Sequence, residues 1–229
     1  MLTCDHSVSP DRYHPNVEEH LESIGFYYAS QIGIVQCQKE LVNALVERWH
    51  LDTHTFHFPV GKCAVTLEDV AVILGLPTKG LPVTGITLSR FKVLEGEYFH
   101  QFGVAPRKSE YRGSGIKLTW LRDLKERLQL IDENSVQRYV KCHIMLLLGT
   151  ILLGDKSGAS VYWKYLPLLR DFGCIGQYSW GSIGIGSAYL ILLRFLGNPT
   201  VFRLQTGGVT GSVAIDAIDI LVTLTLESH

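Results

Sequence analysis

Three places in this chain combine residue types and spacings that could do chemistry. Gly149 to Ser157 reads G-T-I-L-L-G-D-K-S, one insertion away from the phosphate-cradling loop G-x4-G-K-[ST]. Gly181 to Gly186 reads G-S-I-G-I-G, with the glycine density of a dinucleotide loop. His50, His54 and His57, with Cys63 nearby, could ligate zinc. Each meets a physical objection. A phosphate loop needs open backbone amides between a strand and a helix, but Gly149 sits inside an apolar helical run and Asp155 would put a negative charge where phosphate binds. The second motif departs from G-x-G-x-x-G at Tyr189 and has no strand–helix–strand context. Ser182 and Ser187 lack the G-x-S-x-G elbow of a hydrolase nucleophile. On a strand, His54 and His57 point to opposite faces, which opposes shared ligation. Cys142 and His143 are neighbours in a helix and cannot face one partner together. These readings leave no catalytic, cofactor-binding or metal-binding residue, and no cofactor. A histidine that hydrogen-bonds within a hairpin, and glycines that let helices approach, account better for the same residues.

Charge offers one further chemistry. The 229 residues carry a formal net charge of −1, so the whole-chain balance does not point to nucleic acid or acidic lipid. Locally the balance is uneven. Residues 1–60 hold three basic residues against eight acids, and residues 105–127 hold seven against three. Arg107, Lys108, Arg112, Lys117 and Arg122 are therefore the candidate nucleic-acid contacts. A solvated loop and the outer face of one helix explain them as well. Five scattered cysteines without a C-x-x-C spacing indicate a reducing compartment. The apolar runs at 144–153 and 188–196 are shorter than the ~20 residues a spanning helix needs, so a soluble protein with no membrane partner is expected.

The elements that must position these residues are mostly helical. Hydrophobic content of 46% over this length supports a single core-forming domain. Pro15 opens a short helix through Ile24, and Gly25 breaks it. Residues 38–49 are amphipathic, with Leu41, Leu45 and Trp49 on one stripe. Residues 53–58 alternate, with Thr53, Thr55 and His57 on one face and His54, Phe56 and Phe58 on the other, which predicts a half-buried strand. Pro59 to Lys62 is a turn, and Cys63 to Val65 returns as the second strand of a hairpin. Thr66 and Asp69 form a capping box before a helix from Leu67, ended by Gly75 and Pro77. Residues 86–115 look irregular, with a loop at 103–116. Helices are expected at 116–130 (Leu121, Leu124 and Leu128 inward), at 135–153 as the central element, at 161–172, and from Ser182 or Ser187 to Leu196. The expected fold class is mainly α: a compact multi-helix domain with one small β-hairpin, at about 53–65, leading into a capped helix.

The block from Trp49 to Gly85, W-H-L-D-T-H-T-F-H-F-P-V-G-K-C-A-V-T-L-E-D-V-A-V-I-L-G-L-P-T-K-G-L-P-V-T-G, closely resembles the plant mobile domain. That domain is shared by maintenance-of-meristems proteins, transposon-derived proteins and long-form homologues of protein phosphatase 7. Four further segments are similar: L-E-S-I-G-F-Y at 21–27, A-L-V-E-R-W at 44–49, the L-L-G and D-K-S blocks at 147–157, and Y-S-W-G-S at 178–182. The resemblance spans about 11–196 within a domain at 1–199. It marks Trp49, Thr53, His54, Phe56, Pro59, Thr66, Leu67, Asp69, Val70, Gly75, Pro77, Trp180 and Gly181 as signature residues of structural character. The tail at 200–229 lacks the family's usual further block with glutamine, tryptophan and arginine, which implies a truncated or frame-shifted copy.

The resemblance implies a non-enzymatic, nuclear protein in transposon silencing and meristem maintenance. Its implied partners are phosphatase-like or chromatin-associated family proteins. The metal-binding blocks of a phosphatase are not in the sequence. Two other functions fit particular residues: a nucleic-acid-binding module from a transposable element, through 107–127, and a nucleotide hydrolase at 149–157. The V-A-x-x-L-G run at 70–75 is like the first helix of a helix-turn-helix, but Pro77, Gly80 and Pro82 replace the recognition helix.

Overall fold

A computed structural model of the chain describes residues 2–3, 14–32, 36–37, 39–50, 52–85, 91–153 and 159–183. The expected Ser182–Leu196 helix beyond Ile183, the 154–158 part of the phosphate-loop run and the 200–229 tail lie outside them.

The described chain is mainly α, with small antiparallel sheets. A two-residue strand β1 (Leu2–Thr3) pairs antiparallel with Gln36 and Cys37. Helix α1 (Pro15–Ser23) starts with proline, whose missing N–H costs nothing there, and the His14 ring accepts the Asn16 amide. Gly25 ends it at φ +76°, and the short α2 (Tyr27–Ser30) follows. Strand β2 (Gln36–Cys37) precedes α3 (Lys39–Arg48).

The expected single hairpin is a three-stranded sheet. Trp49, expected as a helix end, instead joins His50 in β3 (Trp49–His50), which pairs antiparallel with β4 (Thr55–Phe58), which pairs with β5 (Gly61–Cys63). The register sets Trp49 opposite Phe56, so two aromatic side chains pack together on the buried face. Helix α4 (Leu67–Leu74) then carries the expected capping box, and Gly75 sits at φ +62°.

Residues 86–115 are more regular than the sequence suggests. Helix α5 (Phe91–Phe102) fills much of the span. The loop expected at 103–116 contains β6 (Tyr111–Arg112) and the start of β7 (Gly115–Lys117). Helix α6 (Leu118–Arg127) buries Leu121 and Leu124, while Leu128 lies just past its end, half-buried. Helix α7 (Glu133–Leu147) begins with a second capping box, in which Asp132 and Ser135 exchange hydrogen bonds. It is the central element, packed by α1, α5 and α6, and its last six residues are all buried.

From Leu148 to Leu152 the helix widens to a π-helix, and the Leu153 amide reaches back five residues to Leu148. Thr150 contributes to the change, because its hydroxyl donates to the Leu146 carbonyl and competes with the backbone ladder. The helix expected at 161–172 is instead β8 (Ser160–Tyr162), which completes a second three-stranded sheet in the order β6-β7-β8, followed by a 3-10 turn at Trp163–Leu169. Pro167 lies within that turn and cannot donate to a continuing α ladder. A second 3-10 turn, Phe172–Gln177, lies where glycines 173 and 176 disfavour an α-helix. Among the described residues no helix is long and apolar enough to cross a membrane.

Candidate functional site

The signature residues divide between a hairpin and a clasp. In the hairpin Trp49 is buried, with its ring edge-on to Phe56 at 4.8 Å and to His54 at 6.3 Å. His54 takes φ +51°, the one non-glycine positive value among the described residues. On the opposite face Thr53 and Thr55 hydroxyls lie 2.7 Å apart, and the His57 Nε2 lies 3.3 and 3.2 Å from them. His50 stacks on His57 with ring centroids 3.6 Å apart. Burial, the His50 ring and Lys62 together push the His57 pKa down. Its Nε2 is already engaged, and among the described residues no three histidines, cysteines or acids converge as metal ligands. Pro59 makes the turn. Thr66 accepts the Asp69 amide at 3.2 Å, and the Asp69 carboxylate accepts the Thr66 amide at 2.6 Å. Leu67 is the partly exposed first residue of α4, and Val70 points fully into the core.

The clasp joins two segments far apart in the chain. Pro77 to Leu81 lies along Gln177 to Gly181. Leu81 donates its amide to the Gln177 carbonyl at 2.8 Å, Ser179 donates to Leu81 at 2.9 Å, and Gly181 donates to Pro77 at 2.9 Å. The Ser179 hydroxyl donates to the Thr78 carbonyl, 101 positions away, at 2.8 Å. Trp180 is fully buried, donates its indole N–H to the Ile175 carbonyl at 2.7 Å and packs edge-on against Phe26 at 5.4 Å. A Cβ on Gly181 would meet Thr78 at 2.8 Å and the Pro77 carbonyl oxygen at 3.3 Å. One on Gly80, at φ +129°, would fall on the Gln177 carbonyl oxygen. Only glycine permits this approach.

A buried polar network, which the sequence reading did not single out, ties α5 to the 3-10 turns. Glu97 and Gln101 are buried one turn apart, and the Gln101 amide donates to Glu97 at 2.6 Å and to the Leu166 carbonyl at 2.7 Å. Arg170 reaches in from solvent and donates to both Glu97 carboxylate oxygens. Burial pushes the Glu97 carboxyl up, but the bonds from Arg170 and Gln101 outweigh it and hold it below its ordinary range. Lys141 donates to the Arg170 carbonyl at 3.1 Å, and burial pulls its pKa down. The detectable signal was a polar pair at i and i+4 within an aromatic segment. The network offers no obvious nucleophile: the nearby Cys142 is fully buried, and burial pushes its thiol pKa up.

The plant mobile domain family profile matches residues 25–200. The chain belongs to the plant mobile domain family. It is 35% identical over 188 residues to Protein MAIN-LIKE 2 of Arabidopsis thaliana, covering 82% of this chain and 27% of that protein. It is 36% identical over 197 residues to the Arabidopsis Serine/threonine-protein phosphatase 7 long form homolog, covering 84% of this chain and 14% of the relative. Protein MAINTENANCE OF MERISTEMS, from the same plant, is 29% identical over 179 residues, covering 78% of this chain and 36% of its own. The chain thus spans well under half the length of these relatives. No solved structure matches it.

In this plant mobile domain the other candidate residues fall in separate places. Gly149 lies in the π-helix, and a Cβ there would meet Leu118 at 2.6 Å and Val161 at 2.8 Å, so that glycine serves packing and not an open phosphate cradle. Arg107 and Lys108 are exposed in the turn before β6, Arg112 is exposed on β6, and Lys117 is exposed at the end of β7. Arg122 is set apart on α6, half-buried, with its Nε enclosed and lacking a hydrogen-bond partner among the described residues. Lys125 is turned inward, 3.3 Å from the His143 Nδ1 and over the Tyr139 ring. The basic stretch therefore divides between the sheet with its preceding turn, the interior, and the exposed end of α6, where Arg127 lies.

Proposed function

We propose that this chain is a non-enzymatic protein-interaction domain of a nuclear factor acting in transposon silencing and meristem maintenance. The observation that carries the reading is the family match together with the use of the signature side chains. Trp49, Thr66, Asp69, Gly75, Trp180 and Gly181 stack, cap, turn and permit close approach. Side chains used this way preserve a shape, and a preserved shape suits recognition by another macromolecule better than turnover of a small one. Names among the relatives support the developmental context, through meristem maintenance, and a link to phosphatase 7.

The test is purification of the tagged full chain from plant nuclei, alongside a p-nitrophenyl phosphate assay of the same chain purified separately from a bacterial host. Co-purification of phosphatase-like or chromatin-associated proteins, with no phosphate release, is the expected result. Absence of both protein classes from the nuclear eluate, or turnover that tracks the purified chain, overturns it.

A further inference from the structure

The sheet of β6, β7 and β8 has one face in the core and one in solvent. Cross-strand register decides which residues share each face. Tyr111, Ile116 and Val161 stand in one row, and the last two are fully buried. Side chains alternate along a strand, so the adjoining rows point the other way. One outward row holds Arg112, Gly115 and Tyr162, and the next holds Lys117 and Ser160. Arg112 and Lys117 are exposed, and Tyr162 keeps 41% of its surface in solvent. Half-buried Lys164 adds a third cation beside this face, with its Nζ 5.7 Å from the Tyr162 ring centroid and 4.8 Å from that of the buried Tyr165. Glu110 lies two positions from Arg112, and its carboxylate turns back to accept the Arg107 amide at 2.5 Å. Among the described residues no carboxylate pairs with Arg112, Lys117 or Lys164.

We propose that this outward face binds single-stranded nucleic acid, with a base stacked on Tyr162 and phosphates held by Arg112, Lys117 and Lys164. An exposed aromatic ring on a sheet face that also carries cations without carboxylate partners among the described residues matches both features of a single strand: its bases have open π surfaces and its backbone is anionic. A duplex hides its base faces in its own stack and cannot offer one to Tyr162. Stacking and phosphate contacts do not read the 2′-hydroxyl, so single strands of DNA and RNA bind alike. The surface takes in only part of the basic stretch: Arg122 and Lys125 lie off it, and Tyr162 and Lys164 come from a segment over forty positions further along.

The experiment is fluorescence anisotropy of the full chain with labelled oligo(dT) and oligo(U) of about 15 nucleotides, a length within reach of one small site. Both are expected to bind, and three neutralised phosphates make affinity fall roughly 20-fold between about 50 and 200 mM salt. Tyr162→Ala is expected to weaken binding about tenfold while Tyr162→Phe stays within about twofold, because the ring carries the stack. Arg112→Glu combined with Lys117→Glu is expected to weaken binding and flatten its salt dependence. All these positions are exposed, and matched thermal melts check that the variants are folded. The proposal is overturned by no binding at the lower salt, by a folded Tyr162→Ala variant that binds like the parent, or by a duplex or polyglutamate competing as well as oligo(dT).

Discussion

Gly181 and Gly96 show how the same residue type takes opposite roles. A methyl group on Gly181 would press on Thr78, on the Pro77 carbonyl and on Val70. Gly96 lies in α5 with nothing within 4 Å of the same position. Gly181→Ala should therefore destabilise the fold by about 1–3 kcal/mol, through overpacking. Gly96→Ala should stabilise it by about 0.5–1 kcal/mol, by removing helix-interior glycine entropy. Urea midpoints read both, and equal midpoints for the two variants would contradict the packing described. Glu97 supplies a pH-dependent term. Its folded pKa lies below the ordinary 4.5, so its contribution is present above that value and is lost as pH falls through the depressed one. Glu97→Gln should lower stability at neutral pH by about 1–2 kcal/mol, a figure reduced because Arg170 is 60% exposed. It should also make the loss below about pH 5 shallower than in the parent. Chemical denaturation across that range gives the comparison, and parallel curves would remove Glu97 from the account.

At the scale of the element, what was legible followed from whether the signals were local. Thr66, Asp69, Gly75 and Pro77 each act within a few residues, and the capped helix was readable from them. Thr66→Ala should cost about 1 kcal/mol, with loss of helical circular dichroism confined to a small fraction. A cost under a few tenths would mean that the hairpin holds the helix start unaided. Helix α5 was harder to read, because its inward face carries Glu97 and Gln101 beside Tyr98 and Phe102, and buried polar residues break the apolar period. Ile144 to Leu153 read as one apolar helix, yet it widens from Leu148, where Leu118 and Val161 pack close against Gly149. Trp49 continues the helical stripe of Leu41 and Leu45 in sequence, and only pairing with Phe56 makes it part of a strand. The outward sheet face combines residues 112, 117 and 162, so no window of sequence contained it. The signature list was readable as a list, whereas the docking of Pro77–Leu81 on Gln177–Gly181 was not.

For the whole molecule that docking closes the chain across most of its described length. Trp180→Ala removes a fully buried ring and its bond to Ile175, and should cost about 3–5 kcal/mol. Against a total of about 5–15 kcal/mol, that leaves a marginal domain. The closure also bears on time. Segments 101 positions apart meet there, whereas α6 and α7 are neighbours along the chain and can pair early. Contacts between distant segments have a larger loop-closure cost before they are rewarded. If the clasp forms after the rate-limiting step, its loss leaves the refolding rate nearly unchanged and accelerates unfolding. Stopped-flow measurement of Trp180→Ala should then show the unfolding arm raised and the folding arm in place, whereas a lowered folding arm would put the clasp in the nucleus. On this view the tryptophan and its glycine govern how long a folded copy survives, more than how quickly one is made.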